Sequence, residues 1–299
     1  MKGLISNIQR FSLTDGDGIR TTVFFKGCNM KCNWCHNPET LSGERELMFY
    51  AGKCIGCGKC FAACPVGAHG TANGKHIIDR EKCTACGKCA QICYAEALVM
   101  CGKEMTVEEV MREVRQDKAY YDSSKGGVTL SGGEVLCQRD FAMAIADACH
   151  AEGILVAIET NLCFAFDYLE PLAKKADLIM CDLKLFDEDA HKKNTGVSNQ
   201  NIIKNIRMLD SLGIPMIVRT PLIPGVTDGA ENLVSIARYL KDMKNLVRYE
   251  VLNFNPLGEG KYKSLDAKNL YEEVRPHGEA RLSEISALLD SAGIAYKIV

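Results

Sequence analysis

No apolar run in this 299-residue chain approaches the about 18 residues that a membrane-spanning helix needs. Neither sign of charge is in excess, at 36 lysines and arginines against 38 aspartates and glutamates, and no dense basic stripe is present. That balance argues against nucleic acid as the main partner. The opening Met-Lys-Gly-Leu-Ile-Ser has no long apolar region and no small-residue cleavage site, so the expectation is a reducing, cytoplasmic setting without disulfides. With 47% hydrophobic and 25% charged residues, the composition is that of a soluble globular protein long enough for a sizeable core. Against these absences stand 16 cysteines.

Cys28, Cys32 and Cys35 follow the apolar run at 21–25 with the spacing C-x3-C-x2-C. Three thiolates in one loop can hold three irons of a cubic iron–sulfur cluster and leave the fourth iron open to a ligand from outside the protein, which makes a site for chemistry. Cys54, Cys57, Cys60 and Cys64, followed by Pro65, spell the ferredoxin run C-x2-C-x2-C-x3-C-P. Cys83, Cys86, Cys89 and Cys93 repeat the spacing, with Tyr94 in the proline's place. Two four-cysteine sets mean two closed 4Fe–4S clusters. In the usual crossed arrangement the fourth cysteine of each run serves the other cluster, giving Cys54, Cys57 and Cys60 with Cys93, and Cys83, Cys86 and Cys89 with Cys64. Zinc also binds C-x2-C pairs, but zinc ribbons pair their cysteines and do not call for two complete runs of this form. Cys101, Cys137, Cys149, Cys163 and Cys181 lack ligand spacing and read as buried or partly buried free thiols.

From Thr106 onward, amphipathic stretches at 107–118, 138–152, 168–175, 199–212, 230–242 and 275–291 alternate with apolar runs at 127–130, 154–158, 178–182, 214–219 and 247–252. With the run at 21–25 this predicts six strands in repeated βα units, and residues 295–299 could add a short last strand. Such units imply an α/β fold with parallel strands, either curled into an open or closed barrel or laid out as a doubly wound sheet. Function belongs at the carboxyl ends of the strands in either case. Residues 50–101 interrupt the pattern with the eight ferredoxin cysteines and little apolar periodicity. They read as an inserted cluster domain held mainly by its metal, which splits the carrier into residues 1–49 and 102–299.

Three strand ends carry candidate chemistry. Ser131-Gly132-Gly133-Glu134 follows the run at 127–130, and consecutive glycines let a ligand approach the main chain closely. Asp182 and Lys184 leave one strand on the same face and could together hold a zwitterionic ligand with hydroxyls. Arg219 ends the run at 214–219 and could grip a carboxylate with its planar fork. Each alone also has a plainer reading, as a turn, an exposed ion pair and a surface salt bridge.

Taken together, the C-x3-C-x2-C loop, the Gly-Gly-Glu, the Asp-x-Lys and the strand-end arginine resemble the radical S-adenosylmethionine enzymes. Thr14-Asp15-Gly16-Asp17-Gly18-Ile19-Arg20, Cys35-His36-Asn37 and Ile158-Glu159-Thr160-Asn161 are further similar to the glycyl-radical-enzyme activating enzymes of that superfamily, and the match runs essentially end to end. The two-cluster insert marks the larger members rather than the short pyruvate formate-lyase type.

The resemblance implies a partial (β/α)6 barrel of the radical S-adenosylmethionine type with an inserted ferredoxin-like domain, and three 4Fe–4S clusters in all. Cys28, Cys32 and Cys35 would hold the catalytic cluster, whose open iron chelates the amino and carboxylate groups of S-adenosylmethionine. Gly132, Gly133 and Glu134 would meet the methionine amino group, Lys184 and Arg219 the carboxylate side, Asp182 the ribose and Asn37 the adenine side. A monovalent cation, sodium or potassium, would sit on Glu159, Thr160, Asp182 and the main-chain oxygen of Met180. Asp15 and His36 match positions that face the glycine-bearing peptide of the partner.

Three departures stand out. Asp17 replaces the proline of the family's Asp-Gly-Pro-Gly-Ile-Arg, Glu159 stands where the short activase has aspartate, and Asn255 stands where it has histidine. The implied activity is reductive cleavage of S-adenosylmethionine and abstraction of a hydrogen from a glycine Cα of a partner glycyl radical enzyme, with flavodoxin or ferredoxin as electron donor. The rival readings are a radical enzyme acting on another peptide or a small molecule, and a multi-cluster electron carrier that cleaves nothing.

Overall fold

The computed structural model describes residues 1–299. Strand β1 (Lys2–Ser12) turns back antiparallel into β2 (Arg20–Phe25). β3 (Glu46–Phe49), helix α1 (Lys59–Ala63), the hairpin of β4 (His69–Ala72) and β5 (Lys75–Ile78), α2 (Lys88–Gln91) and β6 (Leu98–Cys101) follow. β7 (Lys103–Thr106) then pairs with the far edge of β1. From there helices and strands alternate: α3 (Val107–Val114), α4 (Lys118–Ser124), β8 (Gly127–Gly132), α5 (Arg139–Ala151), β9 (Leu155–Thr160), α6 (Phe166–Ala173) and β10 (Leu178–Asp182). The chain ends with α7 (Glu188–Thr195), α8 (Gln200–Ser211), β11 (Met216–Leu222), α9 (Ala230–Leu240), β12 (Leu246–Asn253), α10 (Glu259–Ser264), α11 (Glu279–Ala292) and β13 (Tyr296–Ile298).

Nine strands make one sheet in the order β13-β12-β11-β10-β9-β8-β2-β1-β7. Every pairing from β2 to β13 is parallel, and the order advances one way without the reversal that a doubly wound sheet shows. The result is the partial barrel of six βα units, with β13 as a short addition. β1 and β7 were not foreseen. β1 extends the β2 edge antiparallel, because the short turn after Ser12 leaves no room for a crossover, and β7 pairs antiparallel with β1 in its turn.

Helix α3 begins with a capping box in which Thr106 and Glu109 satisfy each other's main-chain N–H groups. The expected helix over 107–118 instead stops at Val114 and restarts as α4 after a tight turn. Ile145, Leu169, Ile206, Leu233 and Leu289 are buried between the sheet and its outer helices. On the other face, Ala157, Met180 and Ile217 form a separate small apolar cluster. Strand alternation then puts Glu159, Asp182 and Arg219, two residues further on, on that same inner face and nearer the carboxyl ends. The barrel interior is therefore an apolar floor beneath a charged ring.

The segment from β3 to β6 stands apart. β3 and β6 pair antiparallel, Glu46 opposite Cys101 and Phe49 opposite Leu98, and close its base. Its own apolar cluster is small, built from Leu47, Phe49, Ile78, Cys89, Ala97 and Leu98. Arg80 ties it to the end of α10 and the turn beyond by donating to the carbonyl of Ser264 at 2.9 Å and to Asp266 Oδ2 at 2.7 Å.

Candidate active site and cluster cavities

A cavity of about 490 Å3 opens at the carboxyl ends of the parallel strands. Cys28, Cys32 and Cys35 line one side, and Glu159, Asp182, Lys184 and Arg219 line the other. The cysteine loop leaves β2 and is pinned from outside: Gly27 N–H donates to the Thr40 carbonyl at 2.8 Å, and Lys31 N–H to the carbonyl of Thr195 at 2.9 Å. Burial pushes the Cys28 and Cys35 thiols up to about 12 and raises Cys32 as well. Such thiols stay protonated in the bare protein, so a metal must drive their ionisation. Main-chain N–H of Met30 and the side-chain amide of Asn161 lie 3.4 and 3.8 Å from Cys28 Sγ, ready to steady a thiolate. The donor set fits an iron–sulfur cluster.

β8 runs two residues past the expected end, because its parallel pairing with β2 continues to Phe24–Ser131 and Phe25–Gly132. Gly132 takes φ +129, and a Cβ there would lie 2.2 Å from the main-chain nitrogen of Phe25. A Cβ on Gly133 would lie 2.4 Å from the Gly27 carbonyl oxygen. Both glycines thus let β8 close against the start of the cysteine loop, and both line the cavity. The side chain of Glu134 is committed elsewhere. It accepts from Asn161 N–H at 2.7 Å, Leu136 N–H at 3.0 Å and Thr160 Oγ1 at 2.8 Å. Burial pushes its carboxyl up to about 7.

Asp182 and Lys184 do share a face, with Lys184 Nζ 2.5 Å from Asp182 Oδ2. This is no exposed pair, since Lys184 is 8% accessible. Burial pushes its ammonium down, but Asp182 and the nearby Cys32 outweigh burial and raise it. Arg219 does not end its strand: β11 pairs with β12 for three residues more, through Leu222. Nor is it a surface group, at 5% accessible. Three of its five N–H donors are taken, by Glu250 Oε2 at 2.8 Å, Glu159 Oε1 at 2.9 Å and the Thr14 carbonyl at 3.2 Å.

Of the residues the resemblance assigns to a cation, Glu159 is held by Arg219 and Ser131, Thr160 by Glu134, and Asp182 by Lys184. Met180 is fully buried in β10 and outside the cavity lining. Asp15 lines the cavity and accepts from Ser12 Oγ and Thr22 Oγ1, both at 2.7 Å. His36 lies at the rim, exposed, with its ring on the Asn255 carbonyl. Asn37 accepts from Lys261 Nζ at 2.6 Å, a lysine that also pairs with Glu39 at 2.7 Å.

The eight ferredoxin cysteines line two other cavities. Cys54, Cys57, Cys60 and Cys93 line one of about 450 Å3, while Cys64, Cys83 and Cys86 line the second, and Cys89 borders both. Among the five remaining thiols, Cys101, Cys149 and Cys181 are buried and Cys163 half-buried, but Cys137 is exposed, because it lies on the turn between β8 and α5 rather than on the helix's inner face.

Several participants were not read from the sequence. His76 places its ring nitrogens 3.8 Å from Cys54 Sγ and 3.9 Å from Cys60 Sγ, with His69 2.9 Å beyond. Lone histidines on a short hairpin gave no warning of this. Glu250 and Arg248 were legible in principle, because they alternate with Tyr249 and Val251 along one strand.

A parallel partial barrel with an open-sided cysteine loop above a charged ring is the architecture of a radical S-adenosylmethionine enzyme. The radical SAM superfamily model matches residues 81–238, and the 4Fe-4S dicluster domain model matches residues 47–94. Neither span contains the Cys28 loop, whose reading rests on its geometry. The chain is 39% identical over 301 residues to the trans-4-hydroxy-L-proline dehydratase activating enzyme of Clostridioides difficile, covering 100% of this chain and 99% of that one. It is 40% identical over 305 residues to the benzylsuccinate synthase activating enzyme of Thauera aromatica, covering 99% and 92%. Streptococcus suis SuiB, solved with its precursor peptide SuiA, shares the fold at TM-score 0.52 and 14% identity, over 91% of this chain and 46% of that one. The chain belongs to the glycyl-radical-enzyme activating enzymes of the radical S-adenosylmethionine superfamily. It is an enzyme of iron–sulfur clusters and S-adenosylmethionine that activates a glycyl radical enzyme partner. No helix is long and apolar enough to cross a membrane.

Proposed function

We propose that this enzyme activates its partner by removing a hydrogen atom from one glycine Cα. When bound, the cluster on Cys28, Cys32 and Cys35 supplies one electron to the sulfonium of S-adenosylmethionine, giving methionine and a 5′-deoxyadenosyl radical that takes that hydrogen. The observation that carries the reading is the single cavity in which these three thiols face Asp182 and Lys184. The chain itself binds and orients. Lys184 meets the carboxylate of the cofactor, Asp182 its ribose, Asn37 its adenine, and the main chain of Gly132, Gly133 and Glu134 its amino group. Arg219 meets the carboxylate side as well, with one N–H on each terminal nitrogen left over from its bonds to Glu250, Glu159 and Thr14. Asp15 and His36 face the partner's glycine segment.

We assign residues 1–49 and 102–299 to the barrel and 50–101 to an inserted domain with two auxiliary 4Fe–4S clusters, three clusters in all, with β3 at the junction pairing onto β6 of the insert. The crossed ligand sets are favoured by the two cavities, one bordered by Cys93 and the other by Cys64. A monovalent cation belongs with Glu159, Thr160, Asp182 and the Met180 oxygen, where Glu159 also pairs with Arg219 and Asp182 with Lys184. The auxiliary clusters relay electrons from a flavodoxin or ferredoxin in an anoxic cytoplasm. Variants lacking them keep S-adenosylmethionine binding and lose donor-driven turnover; unchanged donor rates would remove the relay.

The test uses the anaerobically reconstituted, reduced enzyme with S-adenosylmethionine and synthetic peptides deuterated at the glycine Cα. The peptides span the glycine-radical segments of trans-4-hydroxy-L-proline dehydratase, benzylsuccinate synthase and isethionate sulfite-lyase. Deuterium in the 5′-deoxyadenosine is the expected result. Unlabelled product that disappears in Cys28→Ala would place the hydrogen source elsewhere, and no product from a protein with verified clusters would refute the cleavage itself.

A further inference from the structure

Asp17, the residue that departs from the family's proline, is part of a connected set of contacts, in which its own carbonyl also accepts from Arg20 Nη1 at 3.2 Å. Gly16 and Gly18 on either side take φ of +114 and +75, so its neighbours lend no stiffness to the turn. The Asp17 N–H donates to no main-chain oxygen, so a proline at this position would forfeit no such bond. Two arginines from the other side of the barrel hold the two ends of the turn. Arg219 donates to the Thr14 carbonyl at 3.2 Å, and Arg248 Nη2 lies 3.0 Å from Asp17 Oδ1. One carboxylate then holds both arginines. Glu250 accepts Arg219 Nε on Oε2 at 2.8 Å and Arg248 Nε on Oε1 at 2.7 Å. Glu250 is 3% accessible and sits opposite Arg219 in the parallel register of β11 and β12.

We infer that Asp17, Arg248 and Glu250 are positioning residues that do by charge what the proline ring does by covalent restraint. They hold the turn that carries Asp15 in the shape that receives the partner's glycine segment. The turn leaves β1 and enters the amino end of β2, yet it is fastened to β11 and β12, which lie four and five strands away in the sheet order. The two devices differ in one respect. Salt screens the exposed end of an ion pair and leaves a proline ring untouched. The inference rests on the reading of this loop as partner-facing.

The experiment measures, on the reconstituted holoenzyme, labelled 5′-deoxyadenosine against the concentration of the same deuterated peptides, at low and high salt. Wild type is compared with Asp17→Asn, Arg248→Met, Asp17→Pro and the double variant Asp17→Pro/Arg248→Met. Asp17→Asn and Arg248→Met are each expected to raise the half-saturating peptide concentration about two- to fivefold at unchanged maximal rate. Asp17→Pro should restore the wild-type value in the Arg248→Met background and remove the salt dependence. A purely structural role for Arg248 predicts no rescue by proline. Equal half-saturation across the set, or failure of the proline to rescue, overturns the inference while the reaction stands. No label from any peptide with wild type takes down the reading of the reaction, and the inference with it. Asp17 is exposed, so Asp17→Asn tests the pair even where Arg248→Met folds poorly.

Discussion

Glu134 Oε2 accepts a hydrogen bond from the main-chain N–H of Asn161 at 2.7 Å, tying the turn after β8 to the turn after β9. Its other oxygen takes Leu136 N–H and Thr160 Oγ1, so this carboxylate braces the cavity rim formed by the two turns. The brace has a signature in pH. Burial raises Glu134 from 4.5 to about 7, so across that window the native state keeps a proton that the unfolded chain has lost. Stability from this group is complete below the unfolded value and declines as pH rises through the folded one.

Glu134→Gln is therefore expected to lower the melting temperature, because an amide cannot accept three donors, at a cost of about 1–3 kcal/mol. It should also flatten the decline in stability across the window. Anaerobic thermal denaturation at both ends of the window reads both effects, and a slope identical to wild type would mean that Glu134 is not the titrating group.

Lys184→Met should weaken S-adenosylmethionine binding about tenfold while the signal of the reduced catalytic cluster stays intact. Equilibrium binding on the reconstituted protein gives the first quantity and electron paramagnetic resonance the second. If affinity is unchanged, Lys184 serves only to neutralise Asp182.

The crossed ligand sets can be tested by removing two cysteines at once. Cys54→Ala/Cys93→Ala deletes two ligands of one cluster if the sets cross, and one ligand from each of two clusters if they do not. Iron should fall by about four atoms per chain in the first case and about eight in the second. Chemical iron analysis after reconstitution decides between them, with Cys54→Ala/Cys64→Ala expected to behave in the opposite way.

The parallel order was legible because each buried strand is an apolar run set off by an amphipathic helix. The bounds of β10 coincide with the apolar run at 178–182. The common face of Asp182 and Lys184 followed from alternation alone. Arg219 was legible as a strand-end cation fit to grip a carboxylate, but its partner Glu250 was not, because it lies 31 residues away and only the β11–β12 register brings them together. The glycines at 132 and 133 looked like ligand contacts or a turn. Their tight fit against Phe25 and Gly27 depends on a strand distant in sequence. β1 escaped notice for a simpler reason: most of its length is half-buried or exposed, so no clean two-residue pattern marks it.

The pairing of Glu46 with Cys101 means that the chain departs for the cluster-bearing segment and comes back at facing positions. A detour with adjoining ends places no demand on the distance between β2 and β7, whatever its length or contents. Lineages could lengthen, exchange or discard it as a cassette while the barrel below kept its registers, and an engineer could splice in a short connector at the same point.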